Sequence, residues 1–260
     1  MSRELRVENL TVSREGTTIV SSVDLFLRPG ELVGVVGPNG GGKTSLLLAL
    51  RGLLPSEGEL TLDGLDPRTA SRGDVARRVA VVPQSNELAF SFSVEELVLL
   101  GRSPYRKPWQ GWSSEDRETA GRWLDRLKLS SLADRSVDSL SGGERRRVFI
   151  ARALAQETPF LFLDEPFAGL DPAAIEQTAE ILEELVAEGT RGVLVVLHDL
   201  SWAERLCTRV LGLGCGRQLF CGAPTEVLSE SSLEELFGVG WQPGQTEGGE
   251  RFWQTKRSGS

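Results

Sequence analysis

Eight consecutive residues, Gly37-Pro38-Asn39-Gly40-Gly41-Gly42-Lys43-Thr44, have types and spacing suited to holding a polyphosphate, and Ser45 follows directly. Glycines let backbone N–H groups turn inward and approach phosphate oxygens more closely than a residue with a Cβ allows. A helix opening at the lysine adds the positive end of its dipole. Lys43 is then placed for β- and γ-phosphates, and the Thr44 hydroxyl for Mg²⁺. This chemistry requires a strand before the loop and a helix after it. Leu32–Val36 is an unbroken apolar run, and Thr44–Arg51 has a helical pattern.

Phe160-Leu161-Phe162-Leu163 reads as a second buried strand, with Asp164 and Glu165 at its carboxyl end. Asp164 is suited to hold Mg²⁺, and Glu165 to orient or deprotonate an attacking water. Together with the phosphate loop, the pair implies hydrolysis of a nucleoside triphosphate. A third element, Leu140-Ser141-Gly142-Gly143-Glu144, precedes a helix. Ser141 caps that helix and the glycines leave its first N–H groups free, which makes a second anion site.

These residues need a scaffold, and 260 residues with 40% apolar and 25% charged content supply a sizeable core. That composition excludes disorder over most of the chain. The longest apolar runs are strand-sized, below a bilayer span, and the charged start does not read as a signal peptide. A net charge of −8 disfavours nucleic acid as a partner. The basic runs Arg77–Arg78 and Arg145–Arg147 read as solvated helix faces. Three cysteines, Cys207, Cys215 and Cys221, with no CxxC pair read as free thiols.

Strands are expected at Leu5–Val12, Ile19–Leu27, Leu32–Val36, Glu59–Leu62, Val79–Val82, Phe160–Leu163, Val193–Leu197 and Val210–Leu213. Helical patterns cover Thr44–Arg51, Val94–Leu100, Glu115–Leu127, Glu144–Leu154 and Ala173–Val186. The alternation predicts an α/β fold with its site at the carboxyl ends of parallel strands. Residues from about 86 to 140 break the rhythm and read as a helical subdomain inserted into a phosphate-loop NTPase core spanning 1–238. Residues 239–260 read as a polar tail or a short hairpin.

LSGGE, followed by Ala151-Arg-Ala-Leu154, resembles the signature of ATP-binding cassette (ABC) proteins. The resemblance covers nearly the whole chain. It implies that Gln84 senses Mg²⁺ and the attacking water, that Asp171 in Ala168-Gly-Leu-Asp171 communicates across a dimer, and that His198 contacts the γ-phosphate. It makes Gln84, Glu165 and His198 the hydrolytic set, Thr44, Gln84 and Asp164 the Mg²⁺ set, and ATP the nucleotide. It also implies a head-to-tail homodimer in which Ser141, Gly142, Gly143 and Glu144 complete the ATP site of the facing subunit. The same resemblance implies integral-membrane permease subunits, an external solute-binding protein and a peripheral place on the cytoplasmic face of the cell membrane.

Phe92–Tyr105, with Leu-Gly-Arg-Ser-Pro-Tyr, resembles importers of iron–siderophores, haem and cobalamin. Leu197-His-Asp-Leu200 and Cys221-Gly-Ala-Pro-Thr-Glu-Val-Leu228 are similar to that group as well. Within the segment, Gly101 is expected to end a helix in a left-handed cap and Pro104 to stop its continuation. Zinc and manganese importers share parts of the pattern, and a soluble ABC ATPase of iron–sulfur cluster assembly is the alternative from another class. Two positions depart from the family. Val12 falls where an aromatic usually stacks on adenine, which predicts modest nucleotide affinity or an apolar substitute contact. Gly41-Gly42 stands where Ser or Ala often precedes the last glycine, which loosens the loop.

Overall fold

The computed structural model describes residues 3–84, 88–107, 109–246, 248–249 and 251–256. Asn86, the expected start of the insertion, lies outside them. In chain order the strands are β1 (Leu5–Arg14), β2 (Thr17–Leu27), β3 (Leu32–Val36), β4 (Ser56–Leu62), β5 (Val79–Val82), β6 (Phe160–Asp164), β7 (Gly192–Val196), β8 (Arg209–Gly214), β9 (Arg217–Gly222), β10 (Trp241–Gln245) and β11 (Arg251–Thr255). The helices are α1 (Lys43–Ala49), α2 (Arg72–Ala76), α3 (Val94–Leu99), α4 (Ser114–Arg126), α5 (Gly142–Ala155), α6 (Pro172–Ala187), α7 (Leu200–Leu206), α8 (Pro224–Val227) and α9 (Glu230–Phe237).

Strands β3, β6 and β7 are buried at every position. That is what a parallel strand covered on both faces requires. Their side chains alternate between two cores: Leu32 and Val36 enter one with Leu161 and Leu163, while Val33 and Val35 enter the other with Phe160 and Phe162. The first core is closed by α3, α4, α5, α6 and α7, and the second by α1 and the strands β1, β2 and β4. The sheet order is β4-β1-β2-β9-β8-β3-β7-β6-β5. Strands β8, β3, β7, β6 and β5 run parallel, and β1 pairs antiparallel with both β2 and β4. The fold is the expected mixed sheet with flanking helices.

The sequence pattern missed β9, α2, α7, α8 and α9. Helices α2, α7 and α8 have five, seven and four residues, too few turns to show a period. Strands β10 and β11 form a separate antiparallel hairpin. It docks on α7, where the Trp253 indole N–H donates to Glu204 at 2.8 Å and Arg251 pairs with Glu204 at 3.3 Å.

Between β5 and β6 the described residues form α3, α4, α5 and short 3-10 turns, with no strand of the large sheet. Gly101 and Pro104 behave differently from expectation. Gly101 is absent from the positive-φ glycines, and the chain continues from α3 into a 3-10 helix, Leu100–Tyr105, that contains Pro104. Gly101 is required by closeness instead: a Cβ there would lie 2.2 Å from the Arg152 carbonyl oxygen on α5. The neighbouring Arg102 is buried and donates to the Ala155 carbonyl at 2.9 Å, to Glu157 at 3.1 Å and to Asp116 at 3.1 Å. The Leu-Gly-Arg segment thus fastens α3 and α4 to the end of α5.

Candidate functional site

The phosphate loop leaves β3 at Gly37, whose φ of 152° and close approach to the Leu213 carbonyl exclude a side chain. At Gly42, the N-cap of α1, φ is 94°, and a Cβ would meet Val20 at 2.4 Å. The Gly41-Gly42 pair is therefore tightly enclosed on the Gly42 side. Lys43 is 6% exposed, and its ammonium donates to the Gly37 and Pro38 carbonyls at 2.8 Å each. Burial lowers its pKa, and the nearby Glu165 and Asp164 carboxylates oppose that shift. The ammonium is thus parked on the loop's own backbone, close to where phosphates would sit.

Thr44 donates its hydroxyl to Asp164 Oδ2 at 2.8 Å, linking α1 to the end of β6. Asp164 is 3% exposed, and its Oδ1 is buried without a hydrogen-bond partner. Burial raises its pKa, the Thr44 bond opposing. A buried carboxylate oxygen with no donor beside a hydroxyl is a hard-oxygen set that fits Mg²⁺.

Glu165 adopts φ 54°, a left-handed conformation that is strained for a non-glycine residue and common at functional sites. Its Oε1 accepts from Gln84 Nε2 at 3.0 Å and lies 2.6 Å from His198 Nε2. Three residues from three strand ends, β5, β6 and β7, thus converge on one oxygen. A cleft of about 350 Å³ opens above them, lined by Asn39, Gly40, Gly41, Gly42, Lys43, Thr44, Ser45, Gln84, Glu165 and His198. Gly37 and Pro38 do not line it but hold the Lys43 ammonium through their carbonyls, and Asp164 is joined to it through Thr44.

Ile19 also lines that cleft, whereas Val12 is fully buried in the core under β1 and β2. Val12 therefore cannot be the adenine contact. Asn9 at φ 48° and register shifts along β1 put Leu10 and Val12 in phase with the core. The apolar side chain that lines the cleft comes from β2 instead.

Ser141 caps α5 in a reciprocal box: the Glu144 amide donates to Ser141 Oγ at 3.3 Å, and the Ser141 amide donates to Glu144 Oε2 at 2.9 Å. This bonding lowers the Glu144 pKa, the Ser141 hydroxyl bond being the largest cause. Ser141 and Gly142 are exposed, and Gly143 stands against the Gly169 carbonyl. None of Ser141, Gly142, Gly143 and Glu144 lines the phosphate-loop cleft. Asp171 caps α6 by accepting from the Ala174 amide at 2.9 Å and is itself exposed.

Arg146 was expected on a solvated helix face and is instead 3% exposed. Its guanidinium donates to the Pro83 carbonyl at 2.6 Å, the Glu165 carbonyl at 2.8 Å and the Asp164 carbonyl. It ties α5 to the turns that carry Gln84 and Glu165. The periodicity of α5 held the signal, because Arg146 is four residues before the buried Ile150 and shares its face.

The parts assembled here are a glycine-rich loop between a strand and a helix, a buried carboxylate bonded to Thr44 and a second carboxylate bonded to Gln84 and His198, with the exposed, Ser141-capped start of α5 outside that cleft. A family model described as ABC transporter matches residues 20–168. The Hemin import ATP-binding protein HmuV of Pseudomonas entomophila is 44% identical over 241 residues, covering 90% of this chain and 92% of that protein. The Ferric enterobactin transport ATP-binding protein FepC of Escherichia coli is 35% identical over 236 residues, covering 90% and 87%. Among solved structures, a chain of an inward-facing ABC transporter described as of metal-chelate type superposes with a TM-score of 0.85 at 27% identity, covering 98% of both chains. With that match and that geometry, the chain belongs to the ABC transporter family, as one of its ATP-binding, ATP-hydrolysing cassettes.

Proposed function

We propose that the chain is the ATPase subunit of an importer for a metal chelate such as haem or a ferric siderophore, working with membrane permease subunits. The chemistry of the relatives' cargo and their extent along this chain support that reading. The observation that carries the mechanism is the convergence of Gln84 and His198 on the Glu165 carboxylate beside an open phosphate loop.

ATP is the substrate. Its phosphates would take the N–H groups of residues 39–45, and the Lys43 ammonium would exchange two backbone carbonyls for phosphate oxygens. Thr44 and Asp164, with Gln84 nearby, would hold Mg²⁺, which screens the phosphate charge when bound. Glu165 orients the attacking water and accepts its proton. Gln84 and His198 fix the carboxylate's rotamer and face the γ-phosphate end of the cleft. The exposed start of α5 does not line this chain's own cleft, so it is free to close the ATP site of a second copy in a head-to-tail pair. Asp171, exposed at the start of α6, lies on the surface such a pair would use. The permease and an external binding protein would select the cargo, while this chain supplies closure and reset from the cytoplasmic side. No helix among the described residues is long and apolar enough to cross a membrane.

Glu165→Gln keeps the size and the hydrogen bonds but removes the base. It should bind ATP, lower turnover by about 10²–10⁴-fold, and elute as a dimer with ATP in size-exclusion chromatography. Near-normal turnover would remove Glu165 from this role.

A further inference from the structure

Strands β10 and β11 line no part of the phosphate-loop cleft, yet they grip the helix that follows His198. The hairpin is fixed to the body of the chain beside α8 and α9. Trp241 packs on Phe237 with ring centroids 5.3 Å apart, Lys256 pairs with Glu230 at 2.6 Å, and Arg251 donates to the Leu228 carbonyl at 3.3 Å. From that base it reaches α7 at Glu204. One Glu204 oxygen accepts from the Trp253 indole at 2.8 Å, and the other pairs with Arg251 at 3.3 Å. The Glu204 side chain is 11% exposed, and Trp253 is buried against it.

Helix α7 has seven residues and is capped by Asp199, directly after His198. Its inner face, Leu200, Ala203 and Leu206, is buried in the core. A cavity of about 460 Å³ lies beside its outer face, bounded by Trp202, Glu204 and Phe252 among others, so packing alone leaves the helix room to roll. Its outward side chains oppose that. Trp202 packs on Phe167 with ring centroids 5.1 Å apart. Arg205 covers the Trp202 ring at 5.0 Å and pairs with Glu176 at 2.7 Å and Glu183 at 3.3 Å on α6. Glu204 is held by the hairpin. Phe167 lies in the turn that starts at Glu165, where the Ala168 amide donates to the Glu165 carbonyl at 3.2 Å. Helix α7 therefore bears on Glu165 by two routes: through His198 Nε2, 2.6 Å from Glu165 Oε1, and through Trp202 on the Phe167 turn.

A carboxylate enclosed in this way adds little net stability, because desolvation offsets much of its attraction to Arg251. What it supplies is direction, since the indole N–H and the guanidinium each meet a separate oxygen of Glu204. We propose that the C-terminal hairpin sets His198 and Glu165 in place for hydrolysis, with Glu204, Arg251 and Trp253 as positioning residues that act through the roll of α7. The proposal rests on the hydrolytic roles given above for Glu165 and His198.

His198 is the only histidine in the chain. In a subunit prepared without a histidine tag, the imidazole Cε1–Hε1 NMR signal therefore reports on that one side chain. The test compares this signal and ATP turnover in Glu204→Leu, which keeps the bulk and loses both bonds, and in Trp253→Phe, which keeps a ring and loses only the indole N–H. In both, the His198 signal should shift or broaden. Glu204→Leu should lower kcat roughly tenfold or more with KM for ATP unchanged, the pattern of a group misplaced for the transition state alone. Lys256→Ala, which removes the Lys256–Glu230 pair and leaves Glu204 bonded, should change neither readout. An unmoved His198 signal, a normal kcat, or a raised KM with kcat unchanged would overturn the proposal while leaving the hydrolytic reading intact. His198→Ala separates the two, since normal turnover in that variant would overturn the hydrolytic role of His198 and this proposal with it.

Discussion

Ile19 and Arg146 show how a single side chain changes the account of this site. Ile19 is the apolar side chain that lines the cleft, so under the proposed function it would offer the base of ATP an aliphatic contact rather than an aromatic stack. Ile19→Ala should weaken ATP binding several-fold, measured by fluorescent-nucleotide titration. Val12→Tyr should leave affinity unchanged and destabilise by about 1–3 kcal/mol, because it overpacks a filled core. Arg146 bridges the carbonyls of Pro83, Asp164 and Glu165. Arg146→Met should cost about 3 kcal/mol or more in denaturant unfolding through unsatisfied buried carbonyls. It should also lower kcat more than nucleotide affinity, since Gln84 and Glu165 lose their common anchor. The phosphate loop was legible in the sequence because its donors are contiguous and its glycines have one steric purpose. Val12 was not, because the kink at Asn9 shifts the inward phase of β1 by one residue. Arg146 was hidden because a charged triplet looks solvated until two strand-end turns, those after β5 and β6, are folded against it.

At the scale of elements, what positions the site is the way α5 is held at both ends. Its start is capped by Ser141 and Glu144, its middle is tied by Arg146, and its end receives Gly101 and Arg102. Gly101→Ala would bring a Cβ against the Arg152 carbonyl and should destabilise by about 1–3 kcal/mol. A thermal melt checks this, with Gly121→Ala as the control, since that helical glycine has open space around it and should gain stability. The strands of the parallel core were legible as unbroken apolar runs, and their bounds differ from the sequence reading by at most one residue at β3, β5, β6 and β7. Strand β9 was not legible, because it is exposed at Arg217, half-buried at every later position and shows no alternation. The Leu-Gly-Arg-Ser-Pro segment was legible as a family resemblance, but its physical purpose, close packing on α5, appears only in three dimensions.

At the scale of the whole molecule, the phosphate-loop cleft and the exposed start of α5 are separate surfaces of one chain, which the proposed head-to-tail pair would use as two half-sites. The phosphate loop, Gln84, Glu165 and His198 line one cleft, and the exposed start of α5 lies outside it. Two copies related by a twofold axis would join each loop to the other's Ser141, Gly142 and Gly143. The most direct measurement is a complementation of two inactive variants. Lys43→Ala disables the loop, and Gly142→Asp places an acid at the start of α5, where a side chain meets nothing in the free chain. Each variant alone should hydrolyse ATP at background rate. Mixed in equal amounts, half the dimers pair one variant with the other, and each such pair keeps one intact composite site. The account predicts recovery of about a quarter of the unmodified activity. A mixture that stays at background would contradict it, because loop and signature would then have to serve the same chain.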